Sequence, residues 1–282
     1  MKPRYFDIHS HLTFKDYDQD LEEILARMDA EGVATMTVGV NKATSEEAVS
    51  FAQGKDNFFA TIGLHPNDTP DETFSESEYR ALVAKPKVVA IGECGIDYFL
   101  IGEPRRQNGS GLRPSSDEAS EKKRQWREFE KHVEFALKYD KPLMIHCRPS
   151  KGASDTYLEL LSFLESQKKS SGEKLRGNIH FFVGNVDIAR RLYDIGFTTS
   201  FTGVLTFTHD YDEVVKAAPL DMILTETDSP FAAPAPFRGR RNEPSYVKYV
   251  VEAIARIRGE DVEKIREMTV ANALRVFGIK GL

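Results

Sequence analysis

The segment Asp7-Ile8-His9-Ser10-His11 follows directly on a short apolar start. Side chains of an extended strand alternate between its faces, so His9 and His11 point to one side. Two imidazoles emerging together at a strand end can grip one divalent metal. Further metal-type residues, Glu93, His146, His180 and Asp228, recur at the ends of other short apolar runs. Five of the seven histidines (His9, His11, His65, His146 and His180) stand in such places, which randomly scattered histidines seldom do. Four imidazoles and two carboxylates suffice for two divalent ions if one carboxylate bridges, and paired ions about 3.5–4 Å apart can clamp a displacement reaction. Mixed imidazole and carboxylate donors suit zinc, manganese or iron, and magnesium where water and substrate phosphate complete its shell.

The elements that must position these residues are short apolar runs alternating with amphipathic stretches. Strands are expected at residues 5–9, 34–38, 58–62, 88–91, 142–145, 178–181, 197–201 and 221–224. Alternating β and α predicts a parallel sheet, and about eight such units predict an α/β fold of the (β/α)8 TIM-barrel type. The clearest helix covers 122–139, where Trp126, Phe129, Val133 and Leu137 recur at three- or four-residue spacing. Leu21, Ile24, Leu25 and Met28 mark a helix over 18–30, and two more helices are expected at 245–257 and 262–277. In a barrel the residues just after the strands converge on one rim. His9 and His11 (first strand), Glu93 (fourth), His146 (fifth), His180 (sixth) and Asp228 (eighth) would therefore meet. The flanking Gly92 and Gly95 suggest close packing where a ligand approaches Glu93. Asp228 is also placed to cap a following helix.

One domain is expected over residues 1–282, with an irregular insertion at about 101–120 rich in Gly, Pro and Ser. That insertion leaves the barrel after Glu93. It reads either as a flap carrying Arg105, Arg106 and Arg113 towards a passing phosphate backbone, or as a loop without substrate contact. A polar stretch at 167–177 should link a helix to the His180 strand on the opposite face of the barrel. His65 ends the third strand and is expected to meet substrate or support the ligands without binding metal itself. His132 reads as structural, His209 as a solvated helix start, and Cys94 and Cys147 as small packing residues.

Bulk properties narrow the class. Hydrophobic content of 40% and charged content of 29% are those of an ordinary globular protein. A net charge of −6 disfavours a general nucleic-acid coating protein but leaves room for a local basic rim. Two cysteines argue against a disulfide scaffold and suit a reducing cytosol. No apolar run approaches the 18 or so residues of a membrane span, and Met1-Lys2-Pro3-Arg4 leads into a strand with no apolar leader. A cytoplasmic protein with no membrane association and no obligate protein partner is the expectation.

The chain resembles the TatD family of metal-dependent deoxyribonucleases, within the amidohydrolase-like TIM barrels. The resemblance runs essentially end to end. It is carried by Phe6-Asp7-Ile8-His9-Ser10-His11, Gly63-Leu64-His65-Pro66, Gly92-Glu93-Cys94-Gly95-Ile96-Asp97-Tyr98, Ile145-His146-Cys147-Arg148, Leu224-Thr225-Glu226-Thr227-Asp228-Ser229-Pro230 and Arg238-Gly239-Arg240-Arg241-Asn242-Glu243-Pro244-Ser245-Tyr246-Val247. It implies phosphodiester hydrolysis, with an exonuclease on single-stranded DNA as the leading expectation and two divalent ions (Mg, Mn or Zn) as cofactors. By similarity His9, His11, Glu93 and Asp228 hold one ion, and Glu93, His146 and His180 the other. Glu93 takes the place where many related amidohydrolases use a modified Lys. Asp228 is the candidate to orient or deprotonate the attacking water. Arg148 offers a fork of donors to phosphate or makes a structural ion pair. Arg238, Arg240 and Arg241 bind phosphate or form a solvated basic loop. The insertion at 101–120, Pro149 after Arg148, and His209-Asp210 after Thr208 depart from the family pattern and bear on substrate preference. The rivals are another hydrolase on the same scaffold, acting on an ester, lactone, cyclic amide or aminoacyl-tRNA, and a non-enzymatic binding protein.

Overall fold

The computed structural model describes residues 2–67, 72–99, 101, 105–106, 112–113 and 117–281, and of 105–106 and 112–113 the backbone alone. Eight strands form one sheet in strict chain order. They are β1 (Tyr5–Ser10), β2 (Val33–Val38), β3 (Phe58–Ile62), β4 (Val88–Asp97), β5 (Leu143–Arg148), β6 (Gly177–Ile179), β7 (Phe197–Phe201) and β8 (Ile223–Thr225). Neighbouring strands pair in parallel. The ring closes where β8 returns to β1. Asp228 N donates to His9 O (2.9 Å) and His11 N to Ser229 O (2.8 Å), around a parallel bridge between Ser10 and Ser229. This is the (β/α)8 barrel that the alternation predicts.

The helices α1 (Leu21–Glu31), α2 (Lys42–Ala52), α3 (Glu76–Val83), α4 (Glu118–Tyr139), α5 (Asp155–Ser171), α6 (Val186–Asp194), α7 (Asp212–Ala217), α8 (Val247–Arg258) and α9 (Val262–Val276) follow the strands. Their ends obey local chemistry. Asn41 and Thr44 form a reciprocal cap on α2, and Asn185 and Asp261 accept backbone N–H groups at the starts of α6 and α9. One large apolar core fills the space between strands and helices. A second joins Phe6 and Ile8 of β1, Met36 of β2 and Met144 of β5 to Val270, Ala273 and Phe277 near the end of α9. Among the described residues no helix is long and apolar enough to cross a membrane.

Several boundaries differ from expectation. β4 runs on to Asp97, so Glu93 lies within the strand and not after it. The glycines make this possible: a side-chain carbon at Gly95 would lie 2.0 Å from His146 O, and one at Gly92 2.3 Å from Met144 O. They serve the close approach of β5, not that of a ligand. The ladder shifts register between Ile91 and Cys94, which re-aims Glu93. α4 starts at Glu118, inside the segment expected to be irregular, because Asp117 accepts from Ser120 N (3.1 Å). Residues 105–106 pair antiparallel with 112–113. The flap reading for Arg105, Arg106 and Arg113 otherwise falls on residues and side chains outside those described. α5 extends to Ser171, absorbing half of the expected polar link. Asp228 caps no helix, since the next α-helix begins only at Val247.

Candidate metal centre

β1 delivers two imidazoles as alternation requires. The Nε2 atoms of His9 and His11 lie 3.3 Å apart, although β1 itself ends at Ser10. Beneath them Asp7 is buried and accepts from His9 N (3.2 Å), Thr227 N (2.9 Å) and Thr227 Oγ1 (2.7 Å). These bonds tie the end of β1 to the turn carrying Asp228. Burial pushes the Asp7 carboxyl well above its usual range, against the pull of the Thr227 bonds. Asp228 itself sits at φ 54°, a left-handed backbone position uncommon outside glycine.

Glu93 is the hub. Its Oε2 lies 3.3 Å from His9 Nε2 and 3.9 Å from His11 Nε2. Its Oε1 lies 3.0 Å from His146 Nδ1, 3.0 Å from His180 Nε2 and 3.6 Å from His65 Nε2. Asp228 Oδ1 completes the first side, 3.7 Å from His9 Nε2 and 3.5 Å from His11 Nε2. One carboxylate thus presents each of its oxygens to a separate set of imidazoles.

The outward nitrogens show which way the lone pairs point. His11 Nδ1 donates to the Val38 carbonyl (3.3 Å), which can only accept, so its Nε2 faces the cluster. His146 Nε2 donates to Asp97 Oδ2 (3.0 Å), leaving Nδ1 towards Glu93. His180 Nδ1 stands 3.5 Å from Glu226 Oε1, while its Nε2 turns inward. Converging lone pairs and carboxylate oxygens repel unless protons or a cation lie between them. Donors about 2.0–2.2 Å from a common ion lie about 3–3.6 Å apart, which matches most of the separations here. The residues therefore fit the binding of divalent metal around Glu93.

The electrostatics agree. Burial would raise Glu93, but His180, His9 and His65 hold it well below its usual range. Burial would also raise Asp228, and His11, His180 and His9 hold it down. Burial would lower His146, yet Asp97 and Glu93 push it up to about 9. Glu93 and Glu226 raise His180 against burial, and Asp228 and Glu93 raise His11. His9 is lowered by burial and by His180. This mutual dependence of imidazoles and carboxylates is what a metal replaces when it displaces protons.

The cluster floors a cleft of about 520 Å³ whose lining includes Phe14, Arg148 and Phe231. Arg148 lies over the Phe99 ring at 3.9 Å and has no carboxylate partner among the described residues. Arg238 stacks on Phe207 at 3.9 Å, and Arg238 and Arg240 are exposed. Arg241 is tied to Asp20 and the carbonyl of Asp16, over the Tyr17 ring. None of these last three lines the cleft. His132 is buried in α4, accepting from Leu64 N (2.9 Å) and donating to Glu128 O (2.7 Å). His209 is exposed beside Asp212. Burial pushes the thiols of Cys94 and Cys147 up, so both remain neutral packing groups.

Sequence reasoning passed over Asp97 and Glu226 as site residues. Asp97 lies four residues beyond Glu93 on the same strand, and the even spacing was the available signal. Glu226 is fully buried and also accepts from Ser200 Oγ (2.9 Å) and Phe181 N.

Comparison with known proteins covers the same length of chain. A family profile described as TatD related DNase matches residues 6–278. The protein named uncharacterized metal-dependent hydrolase YabD, of Bacillus subtilis (strain 168), is 37% identical over 278 residues, covering 97% of this chain and 99% of its own. The 3'-5' ssDNA/RNA exonuclease TatD of Klebsiella pneumoniae (strain 342) is 30% identical over 285 residues, covering 97% and 98%. The crystal structure of the TatD homolog YJJV from Escherichia coli K12 superposes with a TM-score of 0.83 at 23% identity, covering 99% of this chain and all of that one, a likeness of fold.

Proposed function

This chain belongs to the TatD-related DNase family, and from that premise we propose that it is a metal-dependent hydrolase of phosphodiester bonds, an exonuclease that trims single-stranded DNA. The observation that carries the reading is the divided carboxylate of Glu93, with His9 and His11 at one oxygen and His146 and His180 at the other. His9, His11, Asp228 and Glu93 would hold one divalent ion, and Glu93, His146 and His180 the second. His65 stands near enough to Glu93 Oε1 to join that second set. When bound, such ions acidify water and offset the charge of the attacked phosphate. The relatives' names support the chemistry: one is called a metal-dependent hydrolase and another a 3'-5' ssDNA/RNA exonuclease.

The chain's own residues supply the rest. Asp228, kept ionised by the surrounding imidazoles, orients the attacking water and takes its proton. Asp97 and Glu226 hold the rings of His146 and His180 in place. Arg148, spread over Phe99 and unpaired with any described carboxylate, binds a phosphate oxygen pair. The test is digestion of end-labelled single- and double-stranded DNA and RNA across Mg, Mn and Zn, beside small esters and lactones. Stepwise shortening of single-stranded DNA, abolished by chelation, is expected. Turnover of an ester or lactone with every oligonucleotide left intact would refute the nuclease reading.

A further inference from the structure

Phe231, three residues beyond Asp228, is 52% exposed at the mouth of the cleft. It is not a frayed loop residue. Its N–H donates to Asp228 O (2.9 Å), and its carbonyl accepts from Asn242 Nδ2 (2.6 Å). Asn242 is itself fully buried and also donates to Thr227 O (2.9 Å). A large apolar ring is thus held rigidly out to water beside a cluster of ionised groups.

Its edge meets the ring of Phe14 (6.5 Å, 72°) and that of His11 (6.1 Å, 66°), and Phe14 lies flat on His11 (4.5 Å, 17°). A continuous aromatic wall therefore runs outward from the candidate metal centre on the β8–β1 side. Arg148 ends β5, four strands round an eight-stranded ring from β1, so the cation and the aromatic wall face each other across the cleft. A π face and a guanidinium with no carboxylate partner among the described residues, flanking one cleft, match the two recognisable parts of a nucleotide, its base and its phosphate. A paired base is already stacked in its duplex and is not available to such a ring.

We propose that Phe231, backed by Phe14, stacks on the unpaired base at the strand end being cut, and so makes this cleft select nucleotides with a free base. The proposal rests on the nuclease reading and adds to it the part of the substrate that is gripped. Its test compares a single-stranded oligonucleotide with the same oligonucleotide carrying an abasic residue at its 3′ or its 5′ terminus. The measured quantity is the ratio of kcat/KM for the base-bearing and abasic ends. Wild type should favour the base-bearing end by about 5- to 150-fold, the range set by stacking one base on one aromatic ring. Phe231→Ala and Phe231→Leu should both bring the ratio towards one, and Phe231→Tyr should keep it. A ratio retained in Phe231→Ala, with both substrates slowed alike, would show a structural role and overturn the proposal alone. A ratio retained in Phe231→Leu would overturn stacking as its cause. A wild type that cuts neither oligonucleotide with any divalent metal would overturn the nuclease reading itself, and the proposal with it.

Discussion

Acid should weaken the fold through His132, the one buried histidine whose two ring nitrogens are both committed away from the candidate centre. Nε2 accepts the Leu64 N–H at 2.9 Å and Nδ1 donates to Glu128 O at 2.7 Å, so only the neutral ring satisfies both partners. Phe74 lies against the ring at 3.8 Å, and the nearby Glu128 charge only partly offsets the lost hydration. Burial pulls its pKa from the ordinary 6.5 to about 4, the bond to Glu128 O opposing. The unfolded chain therefore takes up a proton below pH 6.5 that the folded chain refuses until about pH 4. The resulting stability is fully present above pH 6.5 and is lost as the pH falls through about 4. At pH 5 the residue is about 97% protonated when unfolded and about 10% when folded, a loss of about 2 kcal/mol relative to pH 7 that grows to about 3 kcal/mol below pH 4. Urea unfolding in chelator, at pH 7 and pH 5, measures this in wild type and in His132→Gln. The glutamine lowers stability at both pH values, but that offset cancels in the comparison. Wild type should lose about 2 kcal/mol more than the variant between the two pH values. Equal losses would refute the assignment of His132 as a neutral strut beneath the His65 turn.

Asp97→Asn should lower divalent-metal affinity by about 10- to 100-fold in a calorimetric titration, because His146 loses its carboxylate partner; unchanged affinity would remove Asp97 from the site. Metal binding should release protons at pH 7, since His146 at about 9 and the raised His11 and His180 must give theirs up. Affinity should therefore rise with pH up to about 9, and binding without proton release in a weakly buffered indicator assay would contradict it. Neutralising Arg238 and Arg240 together should reduce the salt slope of single-stranded DNA binding by about 1.4, at about 0.7 per phosphate contact. Arg241→Ala should instead lower the Tm and leave that slope alone, because its guanidinium is held by Asp20 and the carbonyl of Asp16.

Much of the architecture was legible in the chain because it is written in local periodicity. Alternation along residues 5–9 put His9 and His11 on one side, and the repeat of apolar run and amphipathic stretch demanded a parallel ring. Element ends were less legible where a neighbour decides them. The fourth strand was expected to end at residue 91, and Gly92 and Gly95 read as close packing where a ligand approaches. They let β4 stay paired with β5 as far as Asp97, past the register shift between Ile91 and Cys94, since only glycine admits the Met144 and His146 carbonyls so closely.

The sequence by itself set the donor types and placed most of them at or near strand ends, Glu93 inside β4 being the exception. Which atom faces which is a property of the closed ring. Glu93 shares its two oxygens between imidazoles from different segments because closure turns the side chains carried by β1, β5 and the end of β6 towards it, to within 3–4 Å of its carboxylate. Arg241, read as one of three equivalent basic residues, is taken up by Asp20, more than two hundred residues away. Asp97 and Glu226 gain their partners in the same way, from histidines on other segments. Charge pairing at such separations depends on distances that only the packed barrel sets, whereas alternation along a strand is set by covalent geometry and can be read residue by residue.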